Sequence, residues 1–176
     1  IGEVCTGSKA LAVNSATSAL HLAYILADVN ASSLVWTSPI TFVATANTAM
    51  QLGAKIDFID INPKTLNICP EILEDKLREA KQVGRLPHIV SAVHYGGNPC
   101  DMDSILTLSK KYGFKVIEDA SHAFGASYNG VPIGGDKRSL ASAFSFHPVK
   151  MITTGEGGAL IVESEEMWQK ANIIRS

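Results

Sequence analysis

Short apolar runs alternate along this chain with stretches whose apolar residues recur at helical spacing. The runs at residues 11–14, 34–37, 55–61, 89–94, 114–119, 141–146 and 159–163 predict strands. The intervening patterns at 17–27, 41–52, 71–81, 102–112 and 165–174 predict helices. Such alternation predicts an α/β fold, a three-layer α/β/α sandwich around a mostly parallel sheet. The last two strands are joined by a Gly- and Thr-rich stretch without room for a full helix, so the final strand is expected to return antiparallel. No repeat, low-complexity tract or linker divides the chain, and it reads as one domain.

Composition narrows the function classes. A chain of 176 residues with 46% apolar and 18% charged residues is long enough for a sizeable core and is globular. A net charge of -2 gives no electrostatic reason to expect nucleic acid or an anionic membrane as partner. No apolar stretch approaches a membrane span. The start, Ile1-Gly-Glu-Val-Cys5, lacks the basic residues and apolar core of a signal peptide. Cys5, Cys69 and Cys100 show no paired spacing, which predicts thiols in a reducing cytoplasm. The histidines are scattered and predict no metal site. The start at Ile1 and the stop inside a helical pattern predict a fragment of a longer protein.

In an open parallel sheet, ligands bind beyond the carboxyl ends of the strands. Chemically capable residues gather at those ends: Asn14 to Thr17, Thr37, His94, Asp119 with His122, and Ser145 to Lys150. Asn14-Ser15-Ala16-Thr17-Ser18 bridges a strand to a helix, an arrangement that suits either an anion site or simple capping by Ser15 or Thr17. Asp119 ends an apolar strand, where it can hold a proton on a pyridine nitrogen or cap a following helix near Ser121. Glu118 alternates to the opposite face.

Lys150 sits among Pro148, Val149, Met151 and Ile152. Partial burial there favours the neutral amine needed for a Schiff base, although a lysine snorkelling from a loop has the same sequence. Ser145 can add a hydroxyl to a phosphate cup, and His147 reads equally as a loop residue. Phe42 fits either the core or the face of a planar ring. His122 fits a ring hydroxyl or a half-buried structural position. A lysine and an aspartate on neighbouring strand ends point to pyridoxal 5′-phosphate (PLP) chemistry.

These residues fall in four linked motifs: Asn14-Ser-Ala-Thr-Ser-Ala-Leu-His, Thr41-Phe-Val-Ala-Thr-Ala-Asn, Val116-Ile-Glu-Asp-Ala-Ser-His-Ala-Phe-Gly, and Phe144-Ser-Phe-His-Pro-Val-Lys-Met-Ile-Thr-Thr-Gly-Glu-Gly-Gly. Together they resemble the DegT/StrS family of PLP-dependent nucleotide-sugar aminotransferases, of the aspartate aminotransferase fold. The wording around Lys150 is most similar to the branch that aminates a UDP-linked 4-keto-6-deoxy-N-acetylhexosamine on the route to pseudaminic acid. The resemblance implies that Lys150 carries PLP and moves the proton, and that Asp119 pairs with the pyridine nitrogen. It further implies that His122 contacts the ring hydroxyl, that Ala16, Thr17 and Ser145 bind the phosphate, and that Phe42 covers the ring.

The same resemblance implies an amino-acid donor, expected to be glutamate, and a nucleotide-sugar acceptor. It also implies a homodimer with a shared active site. Residues 1–176 would then be the seven-stranded PLP-binding large domain, with an N-terminal arm and a small C-terminal domain outside it. Another PLP enzyme of this fold, a lyase or dehydratase, and a non-catalytic PLP-binding module remain as alternatives. The lysine at 150 counts against the dehydratase offshoot, in which the family carries histidine.

Overall fold

The computed structural model describes residues 1–2, 5 and 9–176. Seven strands form one sheet: β1 (Ala10–Val13), β2 (Leu34–Thr37), β3 (Lys55–Phe58), β4 (Ile89–Val93), β5 (Lys115–Asp119), β8 (Ala141–Ser145) and β9 (Gly158–Val162). A separate two-stranded hairpin, β6 (Ser127–Tyr128) and β7 (Val131–Pro132), lies between β5 and β8 in the chain. The sheet order is β1-β9-β8-β5-β4-β2-β3. The pairings β2·β3, β2·β4, β4·β5 and β5·β8 are parallel, whereas β9 runs antiparallel to both β8 and β1. The expected antiparallel return is therefore the last strand of the sheet.

Strands β4, β8 and β9 are buried along their whole length. That is the signature of a sheet covered on both faces, and it explains why β4 and β9 read as nearly unbroken apolar runs. Helices α1 (Ala16–Leu26), α2 (Ala44–Gln51) and α5 (Glu165–Arg175) supply one covering layer. They pack Leu20, Ala23, Ala49 and Ala171 against Val35, Ile117, Ala143 and Leu160 of the sheet. Helices α3 (Pro70–Gln82) and α4 (Met102–Tyr112) cover the other face with Leu73, Leu77, Ile105 and Leu108. A third cluster places Phe144, Phe146 and Ile161 beside Phe124.

The local signals at the helix starts are physical ones. Ser15, Asp101 and Ser164 accept backbone N–H groups in the first turns of α1, α4 and α5. Pro70 opens α3, where no N–H is needed. The expected helix from residue 41 starts instead at Ala44: residues 39–41 bend, and Val43 at the N-cap offers no side-chain acceptor. The hairpin was not expected at all. Its turn is Asn129-Gly130, both at positive φ (49° and 80°), a pair that suits a two-residue connection. Tyr128 Oη donates to Asp101 at 2.7 Å and Asn129 Nδ2 to Asp103 at 2.9 Å, which pins the hairpin to the start of α4. Among the described residues no helix is long and apolar enough to cross a membrane.

Candidate active site

The carboxyl ends of β4, β5 and β8 open with the start of α1 onto one cavity of about 330 Å³. That volume lies in the ~300–1,000 Å³ range usual for small-molecule sites. Ala16, Thr17, Phe42, Asp119, His122, Ser145 and Lys150 all line it, together with Tyr95, Ser121, His147 and Glu156. A larger groove of about 780 Å³ runs between α1 and the end of α5, but it brings together no lysine–carboxylate pair. The functional argument therefore rests on the smaller cavity.

Asp119 is the last residue of β5 and only 4% exposed. Its Oδ2 accepts from Thr45 Oγ1 at 2.6 Å, and its Oδ1 accepts from Ser121 Oγ at 2.6 Å and Ser121 N at 3.2 Å. No helix follows it, so the capping alternative falls away: residues 121–122 and 124–125 form turns. A carboxylate has about four acceptor positions. Three are filled by Thr45 and Ser121, which leaves capacity for one further donor from the cavity. With its one hydroxyl proton given to Asp119, Thr45 Oγ1 accepts from Thr41 Oγ1 at 2.7 Å, and α2 anchors the carboxylate.

Lys150 lies in the loop between β8 and β9. That loop is closed at its base by Phe146 N to Gly157 O (2.9 Å) and Thr154 N to Phe146 O (3.1 Å), and tightened by Lys150 N to His147 O (2.9 Å). Burial pulls the Lys150 ammonium below the ordinary lysine pKa, while the Asp119 carboxylate opposes the shift. The amine is thereby moved toward its nucleophilic form.

His122 is half-buried, and its Nδ1 accepts the Gly96 amide at 3.3 Å. Burial, and then the Lys150 charge, hold its pKa below the usual histidine value against the pull of Asp119. Its ring meets Tyr95 edge-on, with centroids 6.3 Å apart. Phe42 is 71% exposed, which excludes a core role and places the ring at the mouth of the cavity. Ser145 Oγ accepts from His147 N at 3.4 Å, and His147 Nδ1 accepts from Val149 N at 3.3 Å.

The start of α1 has the form of an anion cradle. The first amides of a helix have no intrahelical acceptor and carry the positive end of its dipole. Here β9 approaches so closely that a Cβ on Gly158 would collide with the Ser15 carbonyl and the Ala16 nitrogen. Gly158 also stands opposite Val13 and Ser145 in the sheet register, which brings Ser145 beside the helix start. Gly158→Ala is accordingly expected to lower stability by about 1–3 kcal/mol through overpacking. It should also weaken binding of a phosphate-bearing ligand, both checked by thermal unfolding with and without that ligand.

Two site features escaped the sequence reading. His94, grouped there with the residues at strand ends, is 0% exposed and turned away from the cavity. The next residue, Tyr95, takes the place at the end of β4. Thr45 was quoted only inside a motif, yet it anchors Asp119 from 74 positions away in the chain. Among the described residues no three metal-ligating side chains converge.

The mostly parallel sheet covered by helices is an α/β sandwich whose structural neighbours are aminotransferases, and comparison with known proteins narrows that class. The profile of the DegT/DnrJ/EryC1/StrS aminotransferase family matches residues 2–176, and the chain belongs to that family. It is 47% identical over 168 residues to a UDP-4-amino-4,6-dideoxy-N-acetyl-beta-L-altrosamine transaminase of Campylobacter jejuni subsp. jejuni serotype O:2, covering 95% of this chain and 43% of that protein. Among solved structures it is similar to Helicobacter pylori PseC, described as an aminotransferase involved in the biosynthesis of pseudoaminic acid. That likeness has a TM-score of 0.85 and 36% identity, and covers 99% of this chain and 46% of PseC. S. venezuelae DesV, solved in complex with a ketimine intermediate, superposes with a TM-score of 0.90 at 28% identity over 99% of this chain and 45% of DesV. The chain thus spans less than half the length of these relatives.

Proposed function

We propose that this chain is the cofactor-bearing domain of a PLP-dependent aminotransferase that moves an amino group from glutamate to a nucleotide-linked 4-keto-6-deoxy sugar. The observation that carries the reading is the shared cavity: an amine biased toward neutrality at Lys150 faces an anchored carboxylate at Asp119, beside a helix start. The donor set suits PLP, which has a carbonyl carbon, a basic ring nitrogen and a phosphate. When bound, PLP supplies an electron-withdrawing ring that makes amine exchange possible. Aminotransferases of this family are PLP-dependent, which supports the same assignment.

The chain's own residues divide the work. Lys150 Nζ would hold the group at its carbonyl carbon, with loss of water, and would then be free to hold or release a proton. Asp119 keeps the ring nitrogen protonated. The amides of Ala16 and Thr17, with Ser145 Oγ, would hold the phosphate, and Phe42 would cover the ring. His122 donates to the ring hydroxyl. The names of the Campylobacter and Helicobacter relatives support a sugar ketone as acceptor and a place in amino-sugar biosynthesis.

The matched share of each relative fits a cofactor domain within a longer protein. Val43, Val149, Met151 and Ile152 are exposed apolar side chains on the segments that flank the cavity. Such a patch suits a homodimer that completes the site. The test is isotopic. Full-length protein with PLP, 15N-glutamate and a UDP-4-keto-6-deoxy sugar is expected to yield 15N-labelled amino sugar and 2-oxoglutarate. Keto acid with no labelled sugar would redirect the acceptor assignment; neither product would refute transamination.

A further inference from the structure

Glu118 and Asp119 are neighbours on β5, so their side chains leave opposite faces of the sheet. Asp119 enters the cavity, whereas Glu118 is 1% exposed on the α4 side. Glu118 Oε2 meets His94 Nε2 at 2.8 Å, and Oε1 accepts from Ser142 Oγ at 3.1 Å. His94 Nδ1 accepts the Cys100 amide at 3.0 Å. Burial disfavours a charged His94 ring, the Cys100 and Glu118 contacts pull its pKa up, and the net direction is upward. The Cys100 amide nonetheless can only donate, so the ring that fits this geometry carries its proton on Nε2 and gives it to Glu118.

A buried polar pair of this kind is not explained by stability. A well-packed apolar pair of similar volume is often as stable or more so. What the pair does hold is the end of β4. His94 N donates to Asp119 O at 3.1 Å, and the following turn, Tyr95–Gly97, is closed by Gly97 N to His94 O at 3.1 Å. Asn67 grips the same turn, accepting Tyr95 N at 2.9 Å and donating to Asn98 O at 2.9 Å. The turn lies directly on His122. Gly96 N donates to His122 Nδ1, and a Cβ on Gly97 would stand 2.7 Å from the His122 carbonyl oxygen.

We propose that Glu118 and His94 are positioning residues: from behind the sheet they fix the Tyr95–Gly97 turn, whose Gly96 amide locks His122 with its proton on Nε2, ready to donate into the cavity. The consequence for cofactor affinity rests on the PLP reading above; the tautomer lock does not. The pair thus sets the donor state of a cavity residue it never touches.

The test uses full-length protein with 15N-labelled histidine, read by NMR at alkaline pH before and after PLP is added. Glu118→Gln retains an oxygen for His94 Nε2–H, and its amide can donate to Ser142. It should keep the His122 Nε2–H signature and bind PLP within about threefold of the unaltered protein. Glu118→Leu should mix the His122 tautomers and weaken PLP about tenfold. If Glu118→Leu fails to fold, Gly97→Ala decides, since it displaces the turn from the His122 side and should produce the same two changes. An unchanged His122 signature in the folded variant, a changed signature with unchanged PLP affinity, or Glu118→Gln behaving like Glu118→Leu would overturn the proposal. Failure of the unaltered protein to bind PLP would instead count against the cofactor reading, and the His122 signature would then decide the positioning claim alone.

Discussion

Lys150→Ala is expected to abolish covalent attachment of PLP and to lower transamination by on the order of 10⁴-fold, the upper end of what one positioned proton carrier contributes. Two jobs are lost at once, the link to the cofactor and the shuttling amine. The fold should survive, because Lys150 is half-exposed in the loop after β8 and its backbone hydrogen bond to His147 O needs no side chain. Thermal unfolding of the cofactor-free protein should therefore shift little, within the ±0.5 kcal/mol usual for such sites. Lys150→Arg should be nearly as inactive. It keeps the positive charge beside Asp119, but a guanidinium does not become a neutral nucleophile. Retention of activity by either variant in a turnover assay would remove Lys150 from the chemistry.

The second large effect is at Asp119. Asp119→Asn is close to isosteric and keeps an oxygen for the Ser121 amide and hydroxyl, so the turn after β5 should persist. What it loses is the charge. A hydrogen bond to a charged group contributes about 1.5–3 kcal/mol, so PLP should bind roughly 10–100-fold more weakly. The half-reaction with glutamate should slow further, since the ring nitrogen no longer keeps its proton. Fluorescence titration with PLP and single-turnover absorbance with glutamate separate these effects. Asp119→Ala should add a loss of stability of about 1–3 kcal/mol, because the Thr45 and Ser121 hydroxyls lose a buried acceptor. Wild-type PLP affinity in Asp119→Asn would place the pyridine nitrogen elsewhere.

The parts of this molecule that were legible in sequence are those with a local cause. Strands β4 and β9 are buried on both faces, so their residues are mostly apolar without alternation and stand out. Residues just beyond such strands fall at the ligand-binding edge of a parallel sheet, which is why Asp119, Ser145 and Lys150 could be placed together before their distances were known. The antiparallel course of β9 followed from the lack of a crossover helix.

What was missed depends on partners far away in the chain. Nothing near Thr45 announces that its hydroxyl meets Asp119, and nothing near His94 announces that Glu118 will draw its ring behind the sheet and leave Tyr95 in the cavity. The hairpin is a different case. Its strands have two residues each, too few to show a period, and only Asn129-Gly130 betrayed it. Phe42 was ambiguous because an aromatic at a helix start suits a core or a binding face equally. Its exposure, a property of the folded chain, excludes the core.

The central claim is that Lys150 carries the cofactor, and borohydride trapping tests it most directly. Full-length protein is incubated with PLP, reduced with borohydride so that any carbon–nitrogen double bond becomes permanent, digested, and read by mass spectrometry. The account predicts a pyridoxyl phosphate adduct on the peptide containing Lys150, lost when an amino-acid donor is added before reduction. An adduct confined to another lysine, or none on this peptide while PLP is demonstrably bound, would contradict it.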